Sequence, residues 1–263
     1  MVIKFLASVG KAMLVVVAIV VTLMVVGHCA RQVELDNPRD GRQLITTIAE
    51  RRVPQAIAAI EGGADVRGVS STYGTSLHAA ARLGNRHGSE ELLALVLERA
   101  PDLLQARDSY GNTPLRIAAG EGSASAVKAL LAAGANGHEP GLLHAAASHS
   151  PETVTLLIAA GALPNEAGSW GTTPLHRAAQ QRDSLAAKAL LAAGAKVNAP
   201  ADNGMTPLHW AARMKDNAAT VKLLLQHGAD AEARDKAGLR PVDYASHNGH
   251  HGNVAVLSAG AKE

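Results

Sequence analysis

Aromatic side chains are nearly missing from this chain of 263 residues, which holds one Phe, three Tyr and two Trp. A core filled by packed rings is therefore excluded, and apolar burial falls to Ala, Leu and Val. Cysteine occurs once, at Cys29, so no intrachain disulfide can form and no thiolate cluster can hold a metal. Neither sign of charge is in excess. Lys4 and Lys11 are the only charges ahead of Arg31, and the remainder carries 23 basic against 23 acidic residues. A neutral body is a weak candidate for nucleic-acid binding, which needs a basic surface. Catalytic signatures are lacking as well: there is no Gly-x-Ser-x-Gly, no Gly-rich phosphate loop and no His-Glu-x-x-His. These absences argue against an enzyme.

What is present is a phrase that returns seven times. Its clearest copies are Gly111 to Leu115, Gly171 to His176 and Gly204 to His209, the last two reading Gly-x-Thr-Pro-Leu-His. The Thr of the phrase, or its equivalent, falls at Arg42, Thr75, Thr113, Gly141, Thr173, Thr206 and Arg240, in steps of 33, 38, 28, 32, 33 and 34 residues. A closing Gly-Ala keeps the same period at Gly63, Gly134, Gly161, Gly194, Gly228 and Gly260, with Arg99-Ala100 in its place once. A fixed period of this length is the mark of a stacked array.

Each unit explains itself physically. Pro174 follows Thr173 at the start of an alanine-rich helix, where Pro loses no hydrogen bond and Thr can cap free amides; Pro114 and Pro207 repeat the device. A second helix carries Val221, Leu224 and Leu225 at one-face spacing, and Gly228 ends it. In the fourth unit Ser150 and Pro151 supply the cap and first position of helix two. One such pair cannot bury its own apolar face, so neighbours must stack. The second unit has extra residues around Asn85 to Ser89. The fourth is short and reads Gly141-Leu142-Leu143-His144, which predicts a truncated finger and a notch in the row.

The Thr-Pro-Leu-His-x-Ala phrase and the Gly-Ala-Asp ending resemble the ankyrin repeat over about residues 36 to 263. The resemblance implies an all-α ankyrin-repeat solenoid of about seven stacked helix-turn-helix units with hairpin fingers. The units lie near 36–68, 69–107, 108–136, 137–167, 168–200, 201–234 and 235–263, after a linker over 31–35. It implies a structural role for His78, His144, His176 and His209, which hydrogen-bond the hairpin and first helix. It also implies that the residue directly before each finger glycine faces partners: Tyr73, Tyr110, Trp170, Asn203 and Ala237, with neighbours Ser109, Asn112, Ser169, Thr172, Asp202 and Met205. Exposed aromatic side chains are binding anchors; the alternative is a ring stacked on the next finger. First helices add a second row, Arg82, Leu83, Glu121, Arg177, Gln180, Gln181, Arg213 and Met214, read as mixed and uncharged overall. Trp210 is read as core.

Residues 12 to 30 carry no charge. At about 1.5 Å per residue they span roughly 28 Å, close to a bilayer's hydrocarbon thickness. The cationic start fits an export signal or an uncleaved signal anchor, so a hydrophobic helix within residues 1–30 is expected. The box Val26-Gly27-His28-Cys29 resembles a bacterial lipoprotein signal, with His28 where Gly or Ala is usual; a boundary Cys29 without a role is the alternative. The cluster His247, His250 and His251 offers an i, i+4 pair for a metal, but Gly249 and Gly252 place a turn there and no carboxylate or thiolate completes a site.

These readings predict a bacterial, non-enzymatic protein-binding array without metal or cofactor, a monomer anchored in the inner membrane through residues 12–30. The array stands on the periplasmic side and acts as a scaffold or inhibitor, one version being an immunity protein against a toxin. A lipoprotein, a secreted periplasmic protein and a cytosolic-facing array are the other placements. The rival function is a metal- or haem-handling accessory of an oxidative-stress enzyme.

Overall fold

Three first helices begin where a threonine meets a proline. Thr113 accepts the Arg116 amide at 3.2 Å, and Thr173 and Thr206 share capping boxes with His176 and His209. Two second helices start on serine caps, Ser123 accepting the Ala126 amide at 3.3 Å and Ser150 the Thr153 amide at 3.2 Å with Pro151 following. Most second helices end in a glycine with φ positive, Gly228 at 82° among them. The computed structural model describes residues 40–260 apart from Asp183. The apolar run 12–30, the linker 31–35 and Cys29 lie outside the described residues.

Within them, fourteen α-helices fall into seven pairs. These are α1 (Gly41–Ala49) with α2 (Val53–Glu61), α3 (Ser76–Ala81) with α4 (Ser89–Arg99), and α5 (Pro114–Gly120) with α6 (Ala124–Ala132). Then come α7 (Leu142–Ala146) with α8 (Pro151–Ala159), α9 (Pro174–Ala179) with α10 (Leu185–Ala192), α11 (Pro207–Ala212) with α12 (Ala218–Gln226), and α13 (Pro241–His247) with α14 (His251–Gly260). Every first helix packs on the first helix of the next pair, from α1 through α13. Second helices do likewise from α2 to α10, and again from α12 to α14. No described helix is long and apolar enough to cross a membrane.

The core is a repeated layer. Leu77, Leu115, Leu143, Leu175 and Leu208 occupy one register position of successive first helices, and all are buried. Val127 with Leu130, Val154 with Leu157 and Val221 with Leu224 do the same on second helices. Each such side chain contributes about 2 kcal/mol of apolar burial. Buried Ala118-Ala119, Ala178-Ala179 and Ala211-Ala212 let first helices approach closely. Polar stitches close the layer at the turn end: Asn217 Nδ2 donates to Ala179 O at 2.8 Å, and Asn253 Nδ2 to Ala212 O at 3.0 Å. The extra residues of repeat 2 form the turn before α4, where Asn85 accepts the Ser123 hydroxyl of repeat 3 at 2.9 Å.

Candidate functional site

At the opposite end of the first helices of repeats 2, 3, 5, 6 and 7 stands a finger, a tight turn. In finger 3, Asp108 accepts the amides of Tyr110 and Asn112, each at 2.9 Å, and its N–H donates to Asn112 O at 2.9 Å. Burial opposes ionisation of Asp108, but these amide donors outweigh it and hold the carboxyl below its usual value. Asp235 repeats the device in finger 7, accepting from Ala237 and Leu239. Finger 2 is the antiparallel pair β1 (Val69–Ser70) and β2 (Gly74–Thr75), with Val69 opposite Thr75.

Finger 5 is built differently. Gly168 replaces the acidic residue, and Trp170 adopts a left-handed conformation, φ 61° and ψ 28°. For a non-glycine residue that costs on the order of 1–2 kcal/mol. The next finger offsets it: Asp202 N–H donates to Trp170 O at 2.9 Å, and Lys236 N–H donates to Asn203 O at 3.0 Å. Fingers 5, 6 and 7 therefore form one hydrogen-bonded strip. Finger 3 ties back to finger 2 through the Ser109 hydroxyl on Ser71 O at 3.1 Å.

The tips divide into three kinds. Tyr110 and Trp170 are 81% and 80% exposed, and Asn203, Asp202, Ser109, Ser169 and Ala237 also face solvent. Tyr73 is half-buried against the core, so the tyrosine at that tip packs instead of projecting. Thr172 and Met205, expected at the partner-facing surface, are only 3% exposed each. Both stand directly after the finger glycine. The carbonyl at that position is taken by the histidine of the preceding repeat, at 2.8 Å from His144 Nε2 to Thr172 and 3.0 Å from His176 Nε2 to Met205. Leu239 also stands there and its carbonyl takes His209 Nε2 at 3.0 Å, yet it is 41% exposed, so the carbonyl bond alone does not bury the side chain. Asn112 shares the position, accepts from His78 Nε2 at 2.9 Å, and is half-buried.

The histidines link one repeat to the next. His176 Nδ1 accepts the Thr173 amide at 3.0 Å and lies 2.9 Å from its hydroxyl, so Nε2 carries the proton donated to Met205 O. Burial pushes the imidazole down to about 4, with the neighbouring His144 and His209 adding to the effect. His78, His144 and His209 are lowered by the same desolvation.

Repeat 4 has no full finger, and its neighbours are rebuilt around the loss. Repeat 3 carries Arg116 at the histidine position, and Arg116 Nη1 donates to Pro140 O at 2.9 Å. The Thr113 hydroxyl donates to Glu139, whose buried carboxylate also takes Arg107 at 3.2 Å. Gly141 stands where the threonine would be, at φ 81°, and its N–H donates to Glu166 at 3.0 Å. His144 consequently has no partner for Nδ1. Sequence reasoning passed over Arg116, although Thr-Pro-Leu-Arg in place of Thr-Pro-Leu-His, just ahead of the short unit, was its signal.

Along the first helices, Glu121, Arg177, Arg213 and Met214 are exposed, while Arg82, Gln180 and Gln181 are half-exposed. Leu83 is buried and leaves the row. The row is not uncharged: three arginines stand against one glutamate, a net of +2 before Arg116 is added. Gln180, Gln181, His149 and Met214 line a groove of about 450 Å³ at its turn end. Trp210 is half-buried and meets His176 edge-on at 5.4 Å between ring centroids. His250 Nδ1 lies 3.3 Å from Ala212 O, and among the described residues no group of three or more ligating side chains could hold a metal.

Comparisons with known proteins agree with this geometry. A family model of ankyrin repeats matches three stretches, residues 45–142, 142–235 and 187–262. The E3 ubiquitin-protein ligase KEG of Arabidopsis thaliana is 32% identical over 140 residues, which is 50% of this chain and 9% of that relative's length. The crystal structure of the human ASB11 ankyrin repeat domain superposes with a TM-score of 0.69 at 27% identity, covering 82% of this chain and 96% of that one.

Proposed function

This chain belongs to the ankyrin-repeat family, and on that premise we propose that it is a membrane-held array which binds one protein partner through fingers 3 and 5 and the first-helix face. The family's fold is typically a non-enzymatic binding scaffold, so the reading needs no turnover and no cofactor. The observation that carries it is the pair Tyr110 and Trp170. They are large, exposed aromatic side chains on backbone turns fixed by hydrogen bonds. Such residues lose little conformational freedom on contact and supply the anchors of an interface.

In this reading residues 12–30 hold the array at the inner membrane, with the fingers on the periplasmic side. Binding occludes or positions the partner, as an immunity protein occludes a toxic enzyme. Cross-linking of the full chain in native membranes, followed by mass spectrometry, tests it. One protein should be captured stoichiometrically, and Tyr110→Ala with Trp170→Ala should abolish capture. Undiminished capture by the double variant would overturn the fingertip reading. The N-terminal peptide in the same experiment reports whether Cys29 is acylated.

A further inference from the structure

Two sets of arginines differ in their partners. Arg52, Arg67, Arg107 and Arg240 each pair with a carboxylate. Arg82, Arg116, Arg177 and Arg213 belong to the first helices of repeats 2, 3, 5 and 6 or their caps, and none has a carboxylate partner among the described residues. The helix lysines lie elsewhere, with Lys128, Lys188 and Lys222 all on second helices. With Glu121 as its acidic member, the first-helix row reaches a net of +3, although the chain after Lys11 is neutral. Arginine is thus in excess over acid along this row.

The notch concentrates this charge. Loss of the fourth finger uncovers the ground between Tyr110 and Trp170. There the Arg116 guanidinium lies over Gly141, where an added Cβ would come within 2.8 Å of Nη1. Arg116 and Arg177 both act on the His144 imidazole, one from each side of repeat 4. The two acids nearby are engaged, Glu139 by Thr113 and Arg107 and Glu166 by the Gly141 amide.

We infer that this face takes an acidic, extended segment of the partner protein, laid along the first helices with carboxylates on Arg116 and Arg177 where the fourth finger is missing. The inference rests on the protein-binding reading above and specifies its chemistry. Guanidinium forks match carboxylates in two-point geometry, and the face uses arginine in preference to lysine. Helices pack about 8–10 Å apart, close to three residues of extended chain at about 3.3 Å each, so acids at every third position can meet successive repeats. A single-stranded nucleic acid is disfavoured because one cation per repeat leaves most phosphates unmatched.

The test uses the full chain in mild detergent and a dye-labelled peptide of repeated Glu-Gly-Ser, about twelve residues long, read by fluorescence anisotropy. Saturable binding that weakens with salt is expected, with none for the Lys-Gly-Ser counterpart. Arg116→Gln with Arg177→Gln should weaken it at least about tenfold. Because Arg116 also holds Pro140, Arg177→Gln with Arg213→Gln serves as the second variant and should act in the same direction. Arg67→Gln with Arg234→Gln removes the same charge elsewhere and should change little. Equal binding by all three variants, or tighter binding of oligo-dT of matched length, would overturn the inference. Neither result touches the protein-binding reading, which is decided by cross-linking through Tyr110 and Trp170.

Discussion

Repeat 4 and repeat 6 solve the same stacking problem with different parts. Repeat 6 has its finger, so His176 of repeat 5 finds the Met205 carbonyl and Thr206 shares a capping box with its own His209. Repeat 4 has lost the finger, and the carbonyl a histidine would seek in it is gone. Repeat 3 therefore carries the longer Arg116, which reaches Pro140, and Glu139 takes the Thr113 hydroxyl. The helical layer beneath is unchanged, with Leu143 buried as Leu208 is. Stacking thus survives without the finger, with other groups taking up most of the polar groups at its base and His144 Nδ1 left without a partner. A repeat can lack its finger without breaking the solenoid.

The largest expected effect comes from deleting the histidine on each side of this comparison. His176→Ala strips partners from the Thr173 amide and hydroxyl and from Met205 O, and leaves a cavity. It should lower stability by about 3 kcal/mol or more in urea unfolding. His144→Ala should lower it clearly less, because Nδ1 is already unpartnered. Equal losses would break the distinction between regular and rebuilt repeats.

Acid sharpens the same contrast. His176 is depressed when folded, to about 4 from 6.5, so folding favours its neutral form. That contribution is complete above about pH 6.5 and is lost as pH falls toward 4, by roughly 3 kcal/mol. Urea midpoints should decline across that window in the native chain. His176→Ala should flatten the decline; an unaltered slope would show that His176 does not govern it.

The smallest effect separates the two aromatic tips. Trp170→Gly relieves a left-handed residue and should raise stability by about 0.5 kcal/mol while weakening partner capture. Tyr110 is not among the positive-φ residues, so Tyr110→Gly should weaken capture with no gain in stability. Thermal melts of the two variants, run together, check this.

Much of the fold was legible because its signals are local. Thr-Pro corners, the Ser150 cap and the glycine after most second helices all act within a few residues of themselves. The short fourth unit was visible for the same reason. The surface was less legible. Thr172 and Met205 are buried while Leu239, at the same position and with the same histidine on its carbonyl, is exposed, and no single-unit pattern encodes that difference. Arg116 and Glu139 make sense only together with a finger that is not there. Tyr73 shares its position with Tyr110, yet it sits on a strand-paired finger and packs half-buried against the core.

The amide of Asp202 on the Trp170 carbonyl has one more consequence. The indole is presented from a turn already set before any encounter, so contact demands little rearrangement of it. Gains of that kind lengthen the lifetime of a complex more than they speed its formation. Severing this strip should therefore show first as faster dissociation.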